Sequence, residues 1–305
     1  MLFSPMNHSF LTLLPMKRSL ISLVLFPLLL TACASTGGEF VSLSDTHVHG
    51  LAVDRGDSNR LYIATHDGLF VLTNDTELTL VGKNRDDFMG FSSHPTDPNI
   101  LMSSGHPSGG GNLGFLNSTD AGKTWQKISN GNPAGPADFH AMMAHPANPD
   151  HLYGWYKLRV HRSLDGGKTW EVLPKQPPEI LAFAGDPRDE NTVYFGSIGD
   201  LLLSTDRGET FVSIAPLLQT DIIPDIEVDQ ESGTLTLATR DHGIMKGSRK
   251  PEGGFVFETV GMLPGNDPAY YLALDPKNSL TLYAFGKGHI LYKSTDGGKT
   301  WQKLL

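Results

Sequence analysis

A single cysteine, Cys33, stands in a chain of 305 residues. One thiol allows no intramolecular disulfide and no cysteine metal cage, and the chain beyond it has no catalytic thiolate. Basic residues are also few: 24 Lys and Arg face 33 Asp and Glu, a formal charge of −9. An acidic chain without a basic run excludes a nucleic-acid partner and electrostatic attachment to anionic lipid. HExxH, CxxC, GxSxG and P-loop signatures are all missing. Gly109-Gly-Gly111 is the longest glycine run, and alone it names no ligand. What the chain does have is punctuation: 33 Gly and 20 Pro between short apolar runs, with few helical patterns, which argues all-β.

Residues 1–32 read as an export signal. Met16-Lys17-Arg18 is a short basic start, and Met16 is the more natural initiator because residues 1–15 carry no Lys or Arg. An apolar run over 20–30, too short to span a bilayer, leads into Leu30-Thr-Ala-Cys33. This phrase resembles the lipobox of bacterial lipoproteins, where the peptide is cut before Cys and the thiol carries a diacylglycerol. The resemblance implies lipidation at Cys33, a tether over 33–38 and an extracytoplasmic place on the bacterial cell envelope. Several acyl chains make a stable membrane anchor. Cleavage removes Lys17 and Arg18 and no acid, so the formal charge moves from −9 to −11. No internal linker divides residues 39–305, which read as one domain and a monomer.

An eight-residue phrase occurs four times. It reads Ser118-Thr-Asp-Ala-Gly-Lys-Thr-Trp125, Ser163-Leu-Asp-Gly-Gly-Lys-Thr-Trp170, Ser204-Thr-Asp-Arg-Gly-Glu-Thr-Phe211 and Ser294-Thr-Asp-Gly-Gly-Lys-Thr-Trp301. The Asp residues are 45, 41 and 90 positions apart, the last step being two units with one decayed copy. A period in the low forties points to a radial array of small sheets, a β-propeller. Asp supplies an acceptor for nearby N–H groups, Gly two residues on can take φ > 0, and Thr-Trp restarts a strand. The phrase resembles the Asp-box of the bacterial neuraminidase (BNR) repeat, also found in sortilin-type propellers and xyloglucan-degrading glycosidases. That resemblance implies boxes at the periphery, with Asp120, Asp165, Asp206 and Asp296 structural; it is silent on activity. With His47-Val-His-Gly50 and Asp138-Phe-His-Ala141, the chain is also similar to bacterial lipoproteins labelled glycosylhydrolase from the repeat alone.

A second signature counts the units. Each opens with an apolar strand ending in a turn, anchored at 55, 95, 146, 187, 230 and 276. A second strand follows, as at Leu61-Tyr62, Ile100-Leu101, Leu152-Tyr153, Val193-Tyr194, Leu235-Thr236 and Leu282-Tyr283. The expected fold is a six-bladed β-propeller of four-stranded antiparallel blades, seven being the less favoured count. Blades one and five lack a good box. Residues 39–42 are expected to pair beside 301–305 and close the ring.

Twelve histidines are many, and blade register sorts them. Inner strands begin on the face that also carries the loops between second and third strands, where ligand sites of propellers gather. Aligned on the anchors, His49, Met89, His140, Leu181, Pro224 and Tyr270 are equivalent. Two positions earlier stand His47, Asp87, Asp138, Glu179, Ile222 and Pro268. Loops add His66, Asp67, His106, Asp241, His242 and His289, and residues 104–114 form an insertion long enough to cover the channel mouth. His94, His145 and His151 fall at the other end of the strands and read as structural.

Three uses of this rim compete. Neutral imidazoles with a carboxylate suit a transition metal, with His49, His140, His66 and His106 as ligands. Paired carboxylates from Asp87, Asp138, Asp45 and Asp225 suit hydrolysis of a neutral glycan. Sialidase activity proper is disfavoured, because the early Arg-Ile-Pro of that family is absent and rim arginines are few (Arg85, Arg159, Arg240). The favoured use is non-catalytic binding of a glycan, peptide or metal through His47, His49, His66, His106, His140, His242 and Tyr270, with Tyr271, Trp155 and Tyr156 beside them.

Overall fold

The computed structural model describes residues 43–305. The export signal, Cys33, its tether and the pairing expected of 39–42 lie outside the described residues. Six four-stranded antiparallel sheets follow one another along the chain, each in simple sequential order from inner to outer strand. Their inner strands are Val48–Val53, Asp87–Ser93, Ala141–Ala144, Ile180–Gly185, Asp225–Val228 and Ala269–Leu274. Each packs against the next, and the sixth packs against the first, so the ring closes around a central channel. Helix is confined, among the described residues, to three 3-10 turns. The molecule is a six-bladed β-propeller.

Second strands carry the core because a neighbouring blade covers each of their faces. Tyr62, Tyr153, Tyr194 and Tyr283 are at most 1% exposed, and each phenol still finds a partner. Tyr62 donates to Asp54, Tyr153 to the Arg207 carbonyl and Tyr283 to Asp75, while Tyr194 accepts from Arg249.

All four Asp-boxes fold alike. In the second, Asp165 accepts from the Ser163 hydroxyl (2.8 Å), the Thr169 amide (2.9 Å) and the Thr169 hydroxyl (2.7 Å). The Ser163 hydroxyl in turn accepts from the Gly167 amide. The same bonds recur around Asp120, Asp206 and Asp296. The aromatic that ends the phrase wedges between blades: Trp170 lies against Phe115 and Phe139 and donates to the Gly167 carbonyl. Blade one replaces the box with a tight hairpin in which Asn74 and Asp75 both take positive φ, the geometry of a two-residue primed turn. Asp75 then accepts from Tyr283 (2.9 Å) and Lys293 (2.6 Å) of blade six across the closure.

A candidate site at the channel mouth

Register decides which side chains reach the mouth. In blades one, two, four and six the inner strand carries a bulge at one equivalent place, between Val48 and Gly50, Phe88 and Gly90, Ile180 and Ala182, and Ala269 and Tyr271. The extra residues are His49, Met89, Leu181 and Tyr270, and His140 and Pro224 hold the same position in blades three and five. A bulge re-aims a side chain. All six residues line the mouth.

The histidines of blade one form a stack. His66, on the second hairpin, is fixed by the hydrogen bond its backbone N–H donates to the His47 carbonyl (3.1 Å). Its ring stacks on His49 (4.5 Å between centroids) and on His47 (5.1 Å), and His289 of blade six meets His47 edge-on. Asp87, which opens blade two, faces this stack. Its Oδ1 is 3.5 Å from His49 Nε2 and its Oδ2 is 3.4 Å from His66 Nε2. His49 Nε2 and Asp87 Oδ1 are buried and hydrogen-bonded to nothing in the described structure. Burial, reinforced by the imidazoles of His66 and His47, lowers the His49 pKa to about 3, so that ring is neutral with a free lone pair. Burial also raises the Asp87 carboxyl above its ordinary range, against the pull of His66 and His106.

A second group sits beside the first. Asp138, only 5% exposed, offers one oxygen to two imidazoles, His106 Nε2 at 2.9 Å and His140 Nε2 at 3.0 Å. Its other oxygen is buried and unpartnered. The bond that His140 donates to Asp138 raises the His140 pKa. His106 Nδ1 lies 2.7 Å from the Gly111 carbonyl, which pins the 107–111 loop over this corner. Gly105 permits the arrangement: its φ is +152°, and a Cβ there would collide with the Asp87 carbonyl.

Other expected members stand elsewhere. His242 pairs with Asp221 at 2.7 Å in blade five, and Asp241 with Arg240 at the surface. Asp45 is exposed, at the end of a 3-10 turn before the first strand. Asp225 faces down the channel, where the Leu272 and Ile226 amides bind it and burial pushes it up to about 6. Glu227 lies one step deeper, pushed up to about 8 by burial and by the charge of Asp225, with Arg55 opposing. Sequence reading passed over Glu227, Arg55 and Asp221. For Glu227 a signal existed: the equivalent positions are Ala52, Ser92, Met143, Ala184 and Ala273, so one blade alone puts an acid there.

Above these groups opens a depression of about 500 Å³. Its walls include Trp155, Tyr156, Tyr270, Tyr271, Glu179 and Lys157. Tyr270 is 42% exposed, whereas Trp155 and Tyr156 are buried against their blade.

Comparison with known proteins agrees with this architecture. The profile of the BNR/Asp-box repeat matches residues 292–303, the last of the four boxes. Among curated proteins, a probable oligoxyloglucan-reducing end-specific xyloglucanase of Neosartorya fischeri is 27% identical over 205 residues, 59% of this chain. The alignment spans 24% of that protein's length. Among solved structures, the GH74 enzyme of Niastella koreensis matches with a TM-score of 0.64 at 18% identity, covering 85% of this chain and 45% of that one. YCF48 from Cyanidioschyzon merolae matches at 0.52 and 16% identity, covering 85% and 84%. The chain is thus a six-bladed β-propeller that carries the BNR/Asp-box repeat, and the likenesses to solved structures show that fold.

Proposed function

We propose that this propeller is an extracytoplasmic binding protein that holds a carbohydrate chain across the mouth of its channel. The observation that carries the reading is the depression on whose wall Tyr270 stands exposed, with Tyr271, Glu179 and the imidazoles of His49 and His140 around it. Aromatic faces take the C–H surfaces of a sugar ring, and a few convergent polar groups orient its hydroxyls. The likeness to a probable xyloglucanase supports a β-glucan, although the chain spans 24% of that protein's length. The lipobox supports tethering through Cys33, and a likeness to the extracellular domain of a putative one component system of B. thetaiotaomicron (TM-score 0.57, 13% identity) fits a place outside the cytoplasm.

Titration calorimetry with xyloglucan oligosaccharides and a panel of neutral glucans tests the reading. Tyr270→Ala should weaken binding roughly 10-fold, on the order of 1.4 kcal/mol. No binding by any neutral glycan removes the proposal. A hydrolytic version has one observation in its favour: burial raises the Asp87 carboxyl, as suits a general acid. Asp87→Asn should then abolish turnover and spare binding, whereas a pure binding protein has no turnover to lose. Labelled palmitate incorporation that disappears in Cys33→Ala would establish the tether.

A further inference from the structure

We propose that His49, His66 and Asp87 form a binding site for a divalent transition-metal ion, a proposal independent of the carbohydrate reading. One donor atom from each residue lies within 4.8 Å of the other two. The two imidazole-to-carboxylate separations, 3.5 and 3.4 Å, are too long for good hydrogen bonds. Each does match the spacing of two donors that share one ion, the carboxylate turning Oδ1 to His49 and Oδ2 to His66. Bonds of about 2.1 Å in tetrahedral array put neighbouring donors about 3.4 Å apart.

Hydrogen-bond accounting points the same way. A buried polar atom ordinarily has a partner, and leaving it without one costs about 1–3 kcal/mol. Here two such atoms, His49 Nε2 and Asp87 Oδ1, face each other across the same gap, both unpartnered. The His145 ring, by contrast, is bonded at both nitrogens, to the Thr192 carbonyl and the Ala147 amide. An ion between the two atoms would satisfy both. No Lys or Arg ion pair with Asp87 occurs among the described residues, so no fixed cation takes the metal's place.

The chemistry selects the class of ion. Two nitrogens and one carboxylate suit Zn²⁺, Fe²⁺ or Cu²⁺ rather than Mg²⁺ or Ca²⁺, which take all-oxygen sets. Three protein ligands leave a position open to water or a small ligand. Entry comes from the His66 side, which is 47% exposed, while His49 and Asp87 are 11% and 16% exposed. Supports are in place as well: the His66 backbone is tied to His47 and its ring is held between two others.

The test is a Zn²⁺ and Co²⁺ titration of the full chain, purified without a His-tag and stripped of metal. One equivalent should bind, with Co²⁺ developing the visible absorption of a four- or five-coordinate ion. Asp87→Asn, close to isosteric, should weaken Zn²⁺ by at least roughly 10–100-fold. His66→Ala, at an exposed hairpin, should do the same without endangering the fold. His242→Ala, paired with Asp221 in blade five, should leave the affinity unchanged. Absence of saturable binding, or equal affinity in Asp87→Asn, His66→Ala and the parent chain, overturns the proposal. Glycan titrations on the stripped protein read the carbohydrate proposal separately.

Discussion

At the residue scale, the channel acids show how position overrides identity. Glu227 and Asp225 occupy one strand, two apart, and so both turn toward the channel. Protein encloses them on every side but that one, which disfavours their charged forms. Glu227 is held at about 8 when folded, against an ordinary 4.5. The folded chain therefore binds the proton more tightly than the unfolded one. Stability from this group is complete below pH 4.5 and is lost as pH rises toward 8. Glu227→Gln should leave stability at pH 4 nearly unchanged and raise it at pH 9, on the order of 1–3 kcal/mol once channel water is allowed for. Urea unfolding at both pH values checks this; a gain that is equal at both, or a loss at pH 9, defeats the argument.

At the element scale, the Asp-box is a turn that satisfies itself. Partial burial pushes Asp165 up, but the bonds from Thr169 and Ser163 outweigh it and hold the carboxyl down at about 2. Its contribution is thus present above the unfolded pKa and disappears as pH falls through about 2. Asp165→Ala removes an acceptor used three times, and should destabilise the protein by about 1–2 kcal/mol at pH 7. Below pH 2 the difference between the variant and the parent should fade. Denaturant midpoints across the pH range are the readout. Carbohydrate and metal binding should survive, because the box lies at the third-to-fourth strand turn while the mouth is built from inner strands and second-to-third strand loops.

At the scale of the whole molecule, a ring has to close between units remote in sequence. Inner strands one and six pack directly, and side chains bridge the seam. Asp75 takes bonds from Tyr283 and Lys293, Ser58 donates to Asp275, and Lys277 donates to the Gly56 carbonyl. Asp75→Ala leaves the buried Tyr283 hydroxyl and the Lys293 ammonium without their acceptor, a loss of about 1–3 kcal/mol. Hydrogen exchange should quicken first in blades one and six. Uniform acceleration around the ring would mean that the seam is no weaker than other blade contacts.

Much of this was legible before any fold was known, because repetition makes each unit a check on the others. Ser-x-Asp-x-Gly-x-Thr-Trp specifies its own bonds within eight residues, and six anchors set the blade count and the register that places His49 beside Met89 and His140. Pairing across the ring was not legible. His49 and His66 meet Asp87 of the next blade, His106 and His140 share Asp138, and His242 leaves the group for Asp221. Sequence alone determined the units, because their turns and strand periodicity are local. Only the tertiary structure decided which imidazole faces which carboxylate, and that Glu227 lies enclosed in the channel. Those outcomes depend on the distance and solvent exclusion between blades, which no single repeat contains.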